Sequence, residues 1–146
     1  MRNARTIPPL LSILLLLACS NDTPAGADER GELARSVYLG ETFELAVGQR
    51  ARIGESGLVI GFRGVREDSR CPVDVDCVWS GDGAVALGVS IGRSATRTVT
   101  LHTDLEPRAA AVGDLVVRLV ALAPEPVSTR RIDPGEYVAT LVVERR

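Results

Sequence analysis

The 146 residues leave room for one domain, and hydrophobic side chains at 45% supply it with a core. The 17 basic residues are all arginine, set against 19 acids, and there is neither a basic stripe nor an interleaving of basic and aromatic residues. That pattern excludes nucleic acid as the expected partner.

In chain order, residues 1–18 read first, as an export signal. Arg2 and Arg5 give a positive start, Leu10 to Leu17 an apolar stretch broken only by Ser12, and Ala18 precedes Cys19. The stretch is too short for a membrane span, which takes roughly 20 residues. Leu16-Leu17-Ala18-Cys19 resembles the lipobox of bacterial lipoproteins, in which the cysteine sulfur takes a diacylglycerol and the chain is cut before it. The resemblance implies acylation of Cys19 and a membrane reached through that lipid, with an ordinary secretory signal as the alternative. Ser20 stands where an aspartate would resemble inner-membrane retention, so the expected place is the outer membrane, on its periplasmic or surface face. Residues 19–35 are polar and aperiodic and read as a flexible tether, leaving 36–146 as the domain. From Cys19 on, with Arg2 and Arg5 set aside, 19 acids face 15 arginines, a net charge of about −4.

The domain alternates with period 2. Phe43, Leu45 and Val47 lead to a turn at Gly48-Gln49; Ala51 and Ile53 precede the turn Gly54 to Gly57; Leu58, Ile60 and Phe62 then share a face. Val85, Leu87, Val89 and Ile91 form the cleanest row, and after a turn at Gly92 to Ala95, Arg97, Val99 and Leu101 alternate with threonines. Pro107 to Val112 reads as one short turn. Leu115 to Leu122 is apolar on both faces save Arg118 and reads as a central strand, and Tyr137, Ala139, Leu141 and Val143 line one face of the last. These runs predict an all-β fold, an immunoglobulin-like two-sheet sandwich or small barrel of about seven strands. Asp133 to Tyr137 resembles the tyrosine corner of such sandwiches, which implies a phenol bonded to nearby backbone.

Between the third and fourth runs lies a loop with the two cysteines that remain once Cys19 is given to lipid. Cys71 and Cys77, in an exported chain, most simply form a disulfide. A metal site would need further soft or imidazole ligands, and the one histidine, His102, is far along the chain. The loop acids Asp68, Asp74, Asp76 and Asp82 lack EF-hand spacing and read as solvated carboxylates, some paired with Arg66 or Arg70, so no metal or cofactor is expected. Gly88-Val89-Ser90-Ile91-Gly92 fits a nucleophile-elbow pattern, but on an alternating strand and without the acid and histidine in order, so no catalytic residue is assigned. His102 and Asp104 read as a solvated strand end. Trp79 is expected to pack over the bridge inside the sandwich, with an exposed anchor for a partner as the alternative.

Asp68-Ser69-Arg70-Cys71-Pro72 followed by Cys77-Val78-Trp79-Ser80-Gly81 resembles the signature of a family of small secreted or lipid-anchored bacterial proteins, over roughly residues 41–144. The resemblance implies no activity. The expected function is therefore a lipid-anchored, non-enzymatic envelope protein that binds an unknown protein or small ligand, or has an accessory role. Asp68, Arg70, Asp74, Asp76 and Trp79 are its candidate binding loop. A secreted inhibitor or ligand-sequestering protein using the Cys71–Cys77 loop is the alternative, and a hydrolase the remote one.

Overall fold

The computed structural model describes residues 33–146, with side chains from Ser36 on. The export signal, Cys19 and most of the expected tether lie outside the described residues.

Nine strands form among the described residues, and alternation of apolar and polar residues explains most of them. They are β1 (Leu33–Val37), β2 (Thr42–Ala46), β3 (Arg50–Ile53), β4 (Leu58–Asp68), β5 (Gly83–Ile91), β6 (Arg97–His102), β7 (Ala109–Val112), β8 (Leu115–Ala123) and β9 (Val138–Arg145), with a short 3-10 turn at Pro134–Glu136. A five-stranded sheet runs β1-β3-β4-β5-β6 and a four-stranded sheet β2-β9-β8-β7. Two open sheets are therefore realised, with nine strands where the periodicity predicts about seven. The additional ones are β1, which begins in the stretch expected to be tether, crosses its expected end at residue 35 and pairs in parallel with β3, and β7, which takes up most of the turn expected at Pro107 to Val112. β7 is Ala-Ala-Ala-Val, so it has almost no apolar–polar contrast to read; its pairing with β8 makes it a strand.

Each sheet buries one row of side chains against the other. Phe43, Leu45, Ile53, Leu58, Ile60, Phe62, Val85, Leu87, Val89, Leu101, Val117, Leu141 and Val143 are all essentially inaccessible, and no polar or charged residue is buried among those described. The chain changes sheets between β2 and β3 at the predicted Gly48-Gln49 turn. Gly48 has φ +86°, a conformation suited to glycine, and its N–H donates to Phe62 O at 2.8 Å. β8 lies inside its sheet as expected, but only one of its faces is covered: Val120 on the other is 48% exposed. A bulge between Leu119 and Ala121 returns Leu122 to the core. β4 has two such bulges against β5, at Arg63 and at Arg66, where the register shifts.

Candidate functional site

The β4–β5 hairpin ends at the pair Asp68–Gly83, and the chain from Ser69 to Asp82 projects beyond it. A narrow neck forms first. Ser69 N–H donates to Asp82 O at 2.7 Å and Cys71 N–H to Ser80 O at 2.8 Å. Gly81, at φ +70°, sits so close to the opposite strand of the neck that an added Cβ would fall 1.8 Å from Ser69 O. The crossing therefore requires glycine. Cys71 and Cys77 are joined by a disulfide, with Cα atoms 5.9 Å apart.

Three carboxylates tie this loop to neighbouring elements. Asp68 Oδ1 accepts from Arg70 Nε at 2.8 Å, while Oδ2 accepts from Arg70 Nη2 at 2.7 Å and from Tyr137 OH at 3.0 Å. Arg70 Nη2 also donates to Pro124 O at 2.9 Å, and Nη1 to Leu122 O. Both side chains are 11% exposed. One guanidinium thus pins the base of the loop to the end of β8, and the Tyr137 phenol reaches a distant carboxylate where the tyrosine-corner resemblance implied nearby backbone. Burial pushes the Asp68 carboxyl up, but its bonds from Arg70 and Tyr137 outweigh that and hold it below its ordinary range. The Tyr137 phenol is raised, by burial and by donating to that carboxylate.

The second tie is Asp74, which accepts from Ser128 N at 2.7 Å and Ser128 Oγ at 2.6 Å; beside it Val73 N–H donates to Pro126 O at 3.0 Å. These bonds lower the Asp74 carboxyl. The third is Asp82. It accepts from His102 Nδ1, from Thr103 Oγ1 at 3.2 Å, and from the backbone N–H groups of Asp104 at 3.0 Å and Leu105 at 3.3 Å. Ser80 Oγ donates to Asp104 Oδ2 alongside.

Burial raises Asp82, yet the Asp104 N–H and His102 outweigh it and bring the carboxyl from 3.8 to about 2. Because the folded value lies below the unfolded one, the stabilisation is complete above the unfolded pKa and is lost as the pH falls through the folded one. The shift corresponds to roughly 1–2 kcal/mol after allowance for nearby solvent. Acid unfolding should therefore steepen between pH 4 and 2, and Asp82→Asn should remove that part of the pH dependence. An unchanged acid profile in the variant would show that the carboxylate is not what holds the loop.

The structure sorts the five candidate binding residues into two groups. Asp68, Arg70 and Asp74 are spent inside the protein as struts. Asp76 is exposed, and Trp79 is 82% exposed, the reverse of its expected packing inside the sandwich. Immunoglobulin domains differ in where the bridge lies. There the bridge crosses between sheets and lies in the core; here it closes a loop outside the core, where no interior exists for an indole to enter. Val78 is 93% exposed, and Val73, Val75 and Leu105 are open to solvent as well. The tip is thus an apolar ridge on a braced loop.

His102, read as solvated, is instead partly buried and bonded to Asp82, while Asp104 is exposed as read and also accepts from Ser80. Nothing local to His-Thr-Asp signals this, since the partners come from the far side of the loop. Ser90 lies six residues along β5 from Ala84, the residue opposite His102, or roughly 20 Å away along the strand. The elbow-like pattern therefore does not bring a hydroxyl to the imidazole. Among the described residues no cluster of three or more His, Cys, Asp or Glu side chains is placed to hold a metal. Beside the loop is an open groove of about 770 Å³, lined in part by Arg66, Pro72, Pro126, Ile132 and Tyr137.

Removing the bridge tests how much of this order it supplies. Cys71→Ser should cost about 2 kcal/mol, the entropy of closing so short a loop, while the sandwich stays folded. Urea unfolding measures the cost, and collapse of the whole fold would show that the loop is part of the core's cooperative unit.

No protein-family model, no curated protein and no solved structure matches the chain.

Proposed function

We propose that this chain is a lipid-anchored envelope protein whose β-sandwich holds out the Cys71–Cys77 loop as a protein-binding surface. The observation that carries the reading is the nearly full exposure of Val78 and Trp79 on a loop fixed at its neck, by a disulfide and by three carboxylate ties. Large exposed apolar side chains are costly in water and are the side chains that dominate partner binding when they enter a pocket. A loop already ordered loses little entropy on binding, so more of the contact energy appears as affinity. Asp76 beside the ridge favours a partner whose apolar pocket has a basic rim. The reading is non-enzymatic, and the separation of Ser90 from His102 supports it.

Two experiments test the two halves. A photoreactive amino acid placed at position 79 should crosslink one defined protein in intact cells, while the same probe at position 52, on the opposite end of the domain's strands, should not. Equal yields at both positions would dismiss the loop as the contact. An enzyme captured through its cleft would shift the reading to the inhibitor alternative. For the anchor, Cys19→Ala should move the protein from the membrane fraction to the soluble one; continued sedimentation of a processed chain with membranes would mean that lipid is not what holds it.

A further inference from the structure

The outer face of the five-stranded sheet carries a feature that the loop does not use. Alternation places Arg50, Gly61 and Gly88 on that face, and the register sets Arg50 opposite Gly61 and Gly61 opposite Gly88. Two adjacent strands therefore lack side chains at the same level. The result is a trough of about 490 Å³ floored by bare backbone.

Two arginines occupy this floor. A Cβ added to Gly61 would come within 3.1 Å of Arg50 Cγ, and one added to Gly88 within 2.7 Å of Arg63 Nε. Both arginines thus use the room the glycines leave. Arg63 sits at the first bulge of β4, the kind of irregularity that re-aims a side chain. Elsewhere Arg70, Arg118 and Arg130 each face a carboxylate. Arg50 and Arg63 have no hydrogen-bond or ion-pair partner among the described residues, and no Asp or Glu lines the trough. Its other polar side chains are Gln49, Ser90 and Thr96. The Gln49 carbonyl oxygen is taken by Ala46 N–H, which leaves its amide NH2 free to donate.

Two uncompensated guanidiniums in one acid-free trough repel each other, and an oxyanion between them relieves the repulsion while accepting planar, forked hydrogen bonds. We propose that this trough binds a phosphate group, held by Arg50 and Arg63 and supplemented by donors from Gln49, Ser90 and Thr96. The ligand is either a soluble phosphate compound or the headgroup of an anionic phospholipid, both of which present the same oxygens. The site lies away from the loop ridge and does not depend on the proposed partner.

The test uses the full chain in a neutral detergent, with arginine Nε–Hε signals followed by NMR as pyrophosphate is added. Saturable shifts are expected at Arg50 and Arg63. Arg50→Gln with Arg63→Gln should weaken binding by about tenfold or more, the loss expected for charge-assisted hydrogen bonds. Gly88→Val should also weaken it, because the new side chain needs the space of Arg63 Nε; the fold should survive, since that guanidinium is free to move. Arg108→Gln, outside the trough, should change nothing. Short-chain dihexanoyl phosphatidylglycerol, kept below its micelle concentration, gives the second arm. Tighter binding than pyrophosphate identifies a headgroup site, and weaker binding a soluble phosphate. No saturable shift with either probe, or shifts that persist in the double arginine variant, would overturn the proposal.

Discussion

Replacing Arg70 with alanine should cost about 3–5 kcal/mol, because it breaks a largely desolvated ion pair from one side. The Asp68 carboxylate would keep only the Tyr137 phenol as side-chain donor, and the carbonyls of Leu122 and Pro124 would lose the guanidinium that now joins them to the loop. Such a loss is a large part of the 5–15 kcal/mol by which domains are typically stable. Arg70→Lys should recover little, since an ammonium cannot reproduce the forked bonds to Asp68 while also reaching two carbonyls. Tyr137→Phe, which removes one donor and leaves the guanidinium in place, should cost only about 1 kcal/mol. Urea midpoints at neutral pH rank the three variants. A loss for Arg70→Ala no larger than for Tyr137→Phe would show that the disulfide and the other ties hold the loop without it.

Trp79→Ala should act in the opposite sense, leaving stability within about 0.5 kcal/mol because the indole packs on nothing that folding requires. Affinity for the partner captured through position 79 should fall by about 2 kcal/mol or more, near thirtyfold, as expected when a central aromatic anchor is truncated. Val78→Ser should add to the loss, and Asp76→Asn should mainly slow association and weaken its salt dependence. Purified partner and chain, compared by surface binding kinetics, give both numbers. Undiminished affinity in the Trp79 variant, with the fold intact, would remove the ridge from the interface. On the proposed reading Arg70 holds the loop without touching the partner, whereas Trp79 would touch the partner without holding the loop.

The sequence by itself determined the fold class and most of the core. Leu58, Ile60 and Phe62, the row from Val85 to Val89, and Ala139, Leu141 and Val143 are buried where their alternation placed them, since a strand's two-residue period is a local property that burial on one face must satisfy. The pairing of Cys71 with Cys77 was legible on other grounds, as the two cysteines that remain once Cys19 is read as lipid-bearing. What the sequence left open depends on residues far apart. β7 is a strand because β8 pairs with it, although three alanines in a row carry no period of their own. Asp68, Asp74 and Asp82 are struts only because Tyr137, Ser128 and His102 arrive from other strands and connections to meet them. Trp79 stands in solvent because the disulfide beside it lies outside the sandwich, a placement no spacing reveals. The arginine trough likewise needs the register that sets Gly61 beside Gly88 and the bulge at Arg63. Periodicity acts along the chain and fixes which face turns inward; register, bulges and the approach of distant groups fix what the outward faces hold, and those are decided only when the strands pair.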